Sequence, residues 1–295
     1  MSAPSAPPPP PHLNALKARI RARIDSTGDA VQAERTIALV VLGQILLACE
    51  TGVPGRVAAA IKGGTAMRLR YGPAASRFSR DLDAARADGL GTFLEAFAAA
   101  LAEGWGGFSG EVRKARSRSK PEGVPQDYVM VAFEVKLRFK GAVGLASPFL
   151  TVPLEIGADE LDDTENRPRL LDPELIDLFA AIGLPEPHPV PVISDDNQIA
   201  QKLHALSVPG SERAHDLIDL QLLVRGTVVP DRVVPSTCRR LFSFHRRQEW
   251  PPTIVEGRTW PTLYEAQIGD LDVLPDVANA VQWVNDYILR LDSAL

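Results

Sequence analysis

The N-terminal part of the chain has apolar residues at helical spacing. Two helices are expected, at residues 12–27 and 31–50, and the second has the broader apolar face. The apolar residues of that second helix are Ile37, Val40, Val41, Leu42, Ile45, Leu46 and Cys49. Residues 1–11 are mostly Ser, Ala and Pro, which predicts a disordered or polyproline-like N-terminus.

Apolar residues occupy every second position from 129 to 139, and the residues between them are polar from Glu134 onward. The apolar members are Val129, Val131, Phe133, Val135, Leu137 and Phe139. A period of two predicts a long strand with one buried face and one increasingly basic face. A second strand is expected at residues 149–156, with Val152, Leu154 and Ile156 toward the core and Glu155 on the other face. Pro153 suggests an edge position or a bulge there.

Shorter elements are expected before these strands. They are a helix at residues 65–71, a strand at 81–85, a helix at 89–102 and a Gly-rich turn at 104–110. From residue 195 onward the pattern is helical. The expected helices there run from Ser194 or Asp195 to 207, from Ser211 to 224, and near 236–249 and 274–293.

The change of pattern places a boundary in the Pro-rich stretch 185–191. We therefore predict three segments: the N-terminus at residues 1–11, a lobe at 12–190 and a helical lobe at 191–295. The fold class is α/β (α+β), with a mixed sheet in the first lobe.

Composition narrows the functional classes. The 295 residues carry a formal net charge of -5, so the chain is not a general nucleic-acid coat. Its two cysteines, Cys49 and Cys238, lie outside any CxxC pattern, which argues against a disulfide framework or a zinc site. The N-terminus lacks the features of a signal peptide, and the apolar run 37–49 is too short to span a bilayer. We therefore expect a cytoplasmic protein without membrane contact.

Asp81 and Asp83 form the first candidate chemical site. On a strand, residues i and i+2 point to the same face. Two neighbouring carboxylates repel each other unless a cation lies between them, and hard oxygen ligands suit Mg²⁺ or Mn²⁺. A pair of surface aspartates is the alternative.

Gly63, Gly64 and Thr65 form the second candidate site. Paired glycines before a helix let the backbone approach a phosphate closely, and the threonine hydroxyl adds a hydrogen-bond donor. Most Gly-Gly pairs are simple turns. Here the pair precedes the two aspartates, which together would make a phosphate and metal site.

Four segments carry a family resemblance. Their sequences are KGGTAM at 62–67, RFSRDLD at 77–83, QIAQKLHA at 198–205 and RAHDLIDL at 213–220. In this order they resemble the motifs of the AbiEii/AbiGii-type nucleotidyltransferase toxins, which include the MenT group. These toxins belong to the DNA polymerase β-like nucleotidyltransferase superfamily. The resemblance covers residues 60–222, and it departs from the family pattern at His215, where a lysine is usual.

The resemblance implies a role for each candidate residue. Asp81 and Asp83 would hold Mg²⁺ or Mn²⁺, with Glu155 as a third metal ligand on a neighbouring strand. Phosphate would be contacted by Gly63, Gly64, Thr65 and Ser79. An exposed strand glutamate is the alternative for Glu155.

Lys202 and Asp216 complete the predicted catalytic set with Asp81 and Asp83. Lys202 lies off the apolar stripe of its helix, so it could neutralise triphosphate charge or simply be solvated. Asp216 and Asp219 share a helix face. One of them could orient Lys202 or touch the nucleotide, and the resemblance favours Asp216. The alternative is a pair with Arg213 on the same helix.

A basic series between residues 113 and 140 could face RNA. It comprises Arg113, Lys114, Arg116, Arg118, Lys120, Lys136, Arg138 and Lys140. A solvated surface is the usual explanation of such a run, but the resemblance favours RNA because MenT-type toxins modify the 3′ end of tRNA. It also implies a cognate antitoxin. A monomer is the default oligomeric state.

The expected function is transfer of a nucleoside monophosphate from an NTP to RNA, with the tRNA 3′ end as acceptor, which would block translation. One alternative is nucleotidyl or phosphoryl transfer to a protein such as the antitoxin, or to a small molecule. An alternative of another class is a non-catalytic module that binds RNA or a partner.

Overall fold

The computed structural model describes residues 7–24, 29–49, 56–115, 130–161, 167–226 and 232–294. The chain forms two compact units. Unit 1 comprises Met1–Pro73 and Ser79–Val192, and unit 2 comprises Ala74–Phe78 and Ile193–Leu295. The predicted boundary at residue 190 is two residues from Val192. The division into a lobe at residues 12–190 and a helical lobe at 191–295 stays a prediction, and the short segment 74–78 was not part of it.

Unit 1 contains a five-stranded mixed sheet. Its strands are β1 (Ala59–Lys62), β2 (Leu82–Arg86), β3 (Phe108–Lys114), β4 (Val131–Phe139) and β5 (Ser147–Ala158). They lie in the order β1-β2-β5-β4-β3. The β2–β5 pair is parallel and the other pairs are antiparallel. Two short strands, β6 (Arg169–Leu170) and β7 (Val190–Pro191), pair separately.

One face of this sheet is apolar and buried. The alternation on β4 is as predicted for the described residues, with Val135 and Leu137 at most 1% exposed and Glu134 and Arg138 exposed. Val129 lies outside the described residues. The helices of unit 1 are α1 (Leu13–Arg23), α2 (Ala30–Leu47), α3 (Gly63–Tyr71), α4 (Leu90–Glu103) and α5 (Pro173–Ile182). α1, α2, α4 and α5 contribute buried residues to the same core as the apolar sheet face.

Helix α2 is the central helix of that core. Among the described residues, it alone is long and apolar enough to span a membrane by length and composition. Residues 36–46 are all buried within unit 1. Burying a Leu or Ile side chain completely contributes about 1.5–3 kcal/mol, so this burial accounts for the apolar composition of α2.

Pro153 lies where β5 has a neighbour on one side. The pairing of β5 with β2 starts at Leu154, whereas Pro153 is opposite Glu134 of β4. Pro153 therefore lies at a position of β5 that has a paired strand on one side only, which agrees with the predicted edge position. The irregularity in the β4–β5 register lies elsewhere, where Leu137 is opposite Leu150 and Arg138 is opposite Pro148.

Unit 2 is helical apart from its connecting segments. Its helices are α6 (Asp195–Leu206), α7 (His215–Gly226), α8 (Val233–His245), α9 (Trp260–Ile268) and α10 (Val277–Ser293). The helix predicted after Ser211 starts only at His215, because the Ser211 hydroxyl accepts a hydrogen bond from the Arg213 backbone N–H in a turn. Helices α5 and α9 were not predicted.

The end of the N-terminal segment is fixed by backbone hydrogen bonds. Pro10 is buried, its carbonyl oxygen accepts a hydrogen bond from Ala142, and that of Pro11 accepts one from Val143. This contact differs from the disorder predicted for residues 1–11. Residues 1–6 lie outside the described part of the chain.

Candidate active site

The junction between β1 and α3 brings the backbone against an acidic side chain. β1 ends at Lys62 and α3 begins at once with Gly63, two residues earlier than the predicted start at Thr65. Gly63 has φ +65, and a Cβ there would lie 2.2 Å from Oδ2 of Asp83. Glycine is therefore required both by the left-handed backbone and by the nearby carboxylate.

The hydroxyls of Thr65 and Ser79 both reach Asp81. Thr65 Oγ1 donates a hydrogen bond of 2.7 Å to the Asp81 carbonyl oxygen, and Ser79 Oγ lies 3.2 Å from Asp81 Oδ1. Both hydroxyls belong to residues that are at most 3% exposed. A hydroxyl has one proton to donate, so in this conformation Thr65 positions Asp81 and does not donate to a ligand. The phosphate contacts predicted for Gly63, Gly64, Thr65 and Ser79 stay predictions.

Asp81 lies just before β2, which begins at Leu82. The strand predicted at residues 81–85 is therefore shifted by one residue. Asp81 and Asp83 therefore do not share a strand face as predicted, because Asp81 is outside the strand. Its position is fixed instead by the contacts from Thr65 and Ser79.

The strand register aligns four residues across one face of the sheet. Lys62 is opposite Asp83, Asp83 is opposite Glu155, and Glu155 is opposite Ala132. Directly opposed residues on neighbouring strands point to the same face. We call this set the acid row. It places Asp83 and Glu155 side by side on the face opposite the apolar core.

The oxygen donors of this region fit a hard divalent cation. Carboxylates are the protein ligands that Mg²⁺ prefers, and the absence of a side chain at Gly63 lets the Asp83 carboxylate lie against the β1–α3 junction. Within the described ranges, no three His, Cys, Asp or Glu side chains are grouped so that they could hold a metal ion. Mg²⁺ commonly takes one or two carboxylates and completes its shell with water and substrate phosphates. The role of Glu155 as a third ligand stays a prediction.

In unit 2, Lys202 of α6 contacts two buried carboxylates of α7. Its Nζ lies 2.8 Å from Oδ1 of Asp216 and 2.5 Å from Oδ2 of Asp219. Both aspartates are 0% exposed and Lys202 is 4% exposed. Each of these buried charges is therefore stabilised by its partners, because an unpaired charge in a buried position destabilises the folded protein.

Two arginines complete this ion cluster. Arg77 binds Asp219 through two parallel hydrogen bonds of 2.9 Å, from Nε and Nη2. Arg213 Nε lies 2.5 Å from Oδ2 of Asp216. The side chain of Arg213 is half exposed, whereas that of Arg77 is 12% exposed.

The cluster shifts the pKa values of its members. Burial would raise the pKa of Asp216, but Lys202 and Arg213 outweigh it and hold that pKa far below its ordinary value. The pKa of Asp219 is lowered in the same way, with Arg77 and Lys202 outweighing burial. Burial also lowers the pKa of His215 to about 4, against the opposing effect of Asp216. His215 is therefore neutral at pH 7, and the three cations exceed the two carboxylates by one positive charge.

A protein-family model now adds to this geometry. The model described as "Nucleotidyl transferase AbiEii toxin, Type IV TA system" matches residues 45–286. This match includes both the acid row and the ion cluster. The chain belongs to the AbiEii family.

The solved structure of one nucleotidyltransferase toxin supports the fold of the AbiEii chain. It is similar to MenT4, a nucleotidyltransferase toxin from Mycobacterium tuberculosis H37Rv, at 17% identity and a TM-score of 0.51, over 95% of this chain and 97% of that chain. It is also similar to JHP933 from Helicobacter pylori, at 16% identity and a TM-score of 0.44, over 88% and 90%. Among proteins with curated descriptions, none matches this sequence. The predicted family and the α/β fold class are thus confirmed.

The structure separates the predicted site residues of the AbiEii chain into two groups. Gly63, Gly64, Thr65, Ser79, Asp81, Asp83 and Glu155 lie in unit 1, whereas Lys202 and Asp216 lie in unit 2. Asp216 contacts both Lys202 and Arg213, so each of its two predicted interactions is present. The roles of Lys202 and Asp216 in the reaction stay predictions.

Arg77 was not predicted as a site residue, and Asp219 was the less favoured of the two aspartates considered as partners of Lys202. Arg77 stands inside the motif at residues 77–83, and Asp219 shares a helix face with Asp216, so both carried a signal. Their pairing links positions that are 142 residues apart, which no local pattern reveals.

The exposed sheet face of the AbiEii chain has mixed charge in its described part. Arg113 pairs with Glu111 at 2.8 Å and lies opposite Glu134, and Lys136 lies opposite Glu111. Acidic residues therefore interrupt the predicted basic series on β3 and β4. Arg116, Arg118 and Lys120 lie outside the described residues.

Proposed function

We propose that this AbiEii toxin transfers a nucleoside monophosphate from an NTP to the 3′ end of tRNA. The acceptor hydroxyl oxygen bonds to the α-phosphorus, the bond from that phosphorus to the β-phosphate bridge breaks, and pyrophosphate leaves. The hydroxyl proton passes to solvent or to a nearby base. The modified tRNA could no longer be aminoacylated, so translation would stop and growth would be inhibited.

The observation that carries this proposal is the arrangement of acids around the β1–α3 junction. Asp81 is held by Thr65 and Ser79, and Asp83 is next to Glu155 in the acid row. In the proposal Asp81 and Asp83, with Glu155, hold Mg²⁺ or Mn²⁺. When bound, such an ion supplies positive charge to the phosphates for in-line displacement.

The protein's own groups do the rest of the binding. The backbone at Gly63 and Gly64, at the start of α3, favours the anionic phosphates. Lys202 neutralises phosphate charge, a role that the excess positive charge of its cluster supports. We further propose that the enzyme acts in the cytoplasm as a monomer and that a cognate antitoxin restrains it.

The test uses purified protein, total tRNA, Mg²⁺ and each of the four α-³²P-labelled NTPs in turn. A labelled tRNA band is expected with at least one nucleotide. Asp81→Ala should abolish it, because the carboxylate that Thr65 and Ser79 position is lost. Asp177→Ala, which changes an exposed acid on α5, is the matched control and should label tRNA like the wild type.

Three other outcomes would change the account. Label on the protein itself or on a co-purified antitoxin would favour the protein-acceptor alternative. Binding of tRNA without any metal-dependent turnover would favour a non-catalytic module. Full labelling by Asp81→Ala would contradict the assignment of the site.

A further inference from the structure

Lys62 has a position that neither the motifs nor the proposed reaction explains. It is the last residue of β1, directly before Gly63, and it stands opposite Asp83 in the acid row. Opposed residues of an antiparallel pair have their side chains on the same face. The Lys62 side chain therefore starts on the same face as Asp83 and Glu155.

The Lys62 side chain runs across the sheet instead of extending into water. Its Nζ lies 3.8 Å from the point that a Cβ on Gly157 would occupy, and Gly157 belongs to β5, two strands away. β2 separates these strands, so the lysine crosses over it. Lys62 is accordingly only partly exposed.

Small residues make room for this path. Ala60, Ala85 and Gly157 are opposite one another on β1, β2 and β5, in the next row on the same face. A Cβ at Gly157 would lie 2.6 Å from Sδ of Met130, so even one added carbon would crowd this space. These small residues thus form a second row across the sheet, next to the acid row, and the Lys62 ammonium lies over it.

The Lys62 ammonium has no counter-ion in the described part of the chain. No hydrogen bond or ion pair to it is present there, whereas Lys202 has two carboxylate partners. A partly buried cation beside two acids, yet paired with neither, is suited to an anionic ligand that arrives with the substrate. Lysine is a common phosphate ligand because its ammonium acts as a compact point charge.

We propose that Lys62 is a substrate-binding residue whose ammonium contacts the phosphates of the NTP. This inference rests on the proposed function, because it assumes that the acid row is where the triphosphate is bound. The bound NTP carries more negative charge than one divalent ion neutralises, and Lys62 supplies a further positive charge on the same face.

The test measures binding of the four α,β-methylene NTP analogues, which cannot transfer the nucleotide, by calorimetry in the presence of Mg²⁺. Lys62→Met should weaken the tightest of them about tenfold, since a charged phosphate contact is worth this much. Lys62→Arg should recover part of the affinity because the positive charge returns. Lys17→Met changes another partly exposed lysine of unit 1, on α1, and should bind the analogue like the wild type.

Circular dichroism and thermal melting check that each variant is folded, and Lys62→Gln serves as a second neutral variant. Unchanged analogue affinity in a folded Lys62→Met or Lys62→Gln protein would overturn the inference, even if wild-type protein labels tRNA. If the wild type binds the analogue and Lys62→Met weakens it, the inference holds even when tRNA labelling fails. If the wild type binds no analogue, the inference is wrong, and the tRNA labelling experiment alone decides the proposed function.

Discussion

At the scale of single residues, the ion cluster of unit 2 shows how burial couples charges. Asp219 accepts hydrogen bonds from both Arg77 and Lys202 and is fully buried. Removing one partner of such a group leaves an uncompensated charge, which typically costs about 3–5 kcal/mol. Two short motifs singled out Lys202 and Asp216, but only the folded chain shows that Asp219 binds two cations.

Side-chain partners were the least predictable feature at this scale. The sequence placed Thr65 and Ser79 near phosphate, whereas their hydroxyls contact Asp81. Ser79 lies in a loop, where the side-chain direction depends on backbone angles that residue spacing does not encode, and Thr65 lies in α3, where its partner depends on how the chain before β2 packs against that helix. Asp83 and Glu155 were each predicted as metal ligands. That they are neighbours follows only from the strand register.

His215 provides a prediction about pH. Its pKa in the folded protein is about 4, against an ordinary value of 6.5, so between these pH values the unfolded chain binds a proton that the folded chain does not. Stability must then rise with pH in this window and fall as the pH is lowered. Between pH 7 and pH 5 the wild type should lose about 1–2 kcal/mol of unfolding free energy through this residue, measured by urea unfolding.

The variant His215→Gln should lose less stability than the wild type over the same pH range, because it has no proton to gain. His188→Gln, which changes an exposed histidine of unit 1, should keep the wild-type dependence. If His215→Gln and wild type change in parallel from pH 7 to pH 5, then His215, which is partly buried, does not have the lowered pKa given above.

At the scale of elements, periodicity predicted the long strands and the core helix well. The alternation on β4 and the apolar face of α2 follow directly from which residues must be buried. Helix α5 was missed although its ends carry ordinary signals: the Asp172 cap, Pro173 in the first turn and Gly183 in the left-handed conformation. The first residues of β3, 108–110, were predicted to belong to a Gly-rich turn, because Gly110 lies within the strand.

The β1–α3 junction gives a second prediction at this scale. Gly63→Ala should lower the unfolding free energy by about 1–3 kcal/mol in urea unfolding, because the left-handed backbone strains any other residue. It should also weaken Mn²⁺ binding, since the new Cβ would displace the Asp83 carboxylate.

The matched control is Gly91→Ala in the first turn of α4. A Cβ at Gly91 meets no atom within 4 Å, and alanine favours a helix, so this variant should be as stable as the wild type or slightly more stable. Equal stability and equal Mn²⁺ affinity for Gly63→Ala and wild type would show that the junction does not need glycine.

At the scale of the whole molecule, the chain passes between its two units three times. It leaves unit 1 after Pro73, returns at Ser79 and leaves again after Val192. The composition change near residue 190 predicted a boundary near the last of these passages. That residues 74–78 belong to unit 2 could not be predicted from the sequence. Their assignment depends on long-range contacts such as that of Arg77 with Asp219.

The family could be predicted from the sequence because four motifs occur in a fixed order, and the fold class because the periodicity of apolar residues changes along the chain. The acceptor could not, since the described part of the open sheet face mixes acids with the predicted basic series.

The central claim is that this AbiEii chain transfers a nucleotide and not a phosphate. The most direct test incubates the protein with tRNA, Mg²⁺ and the preferred NTP labelled with ³²P at either the α or the γ position. The account predicts that tRNA becomes labelled from the α-labelled nucleotide only, while the γ label appears in pyrophosphate. Label on tRNA or protein from the γ-labelled nucleotide would show phosphoryl transfer and would contradict it.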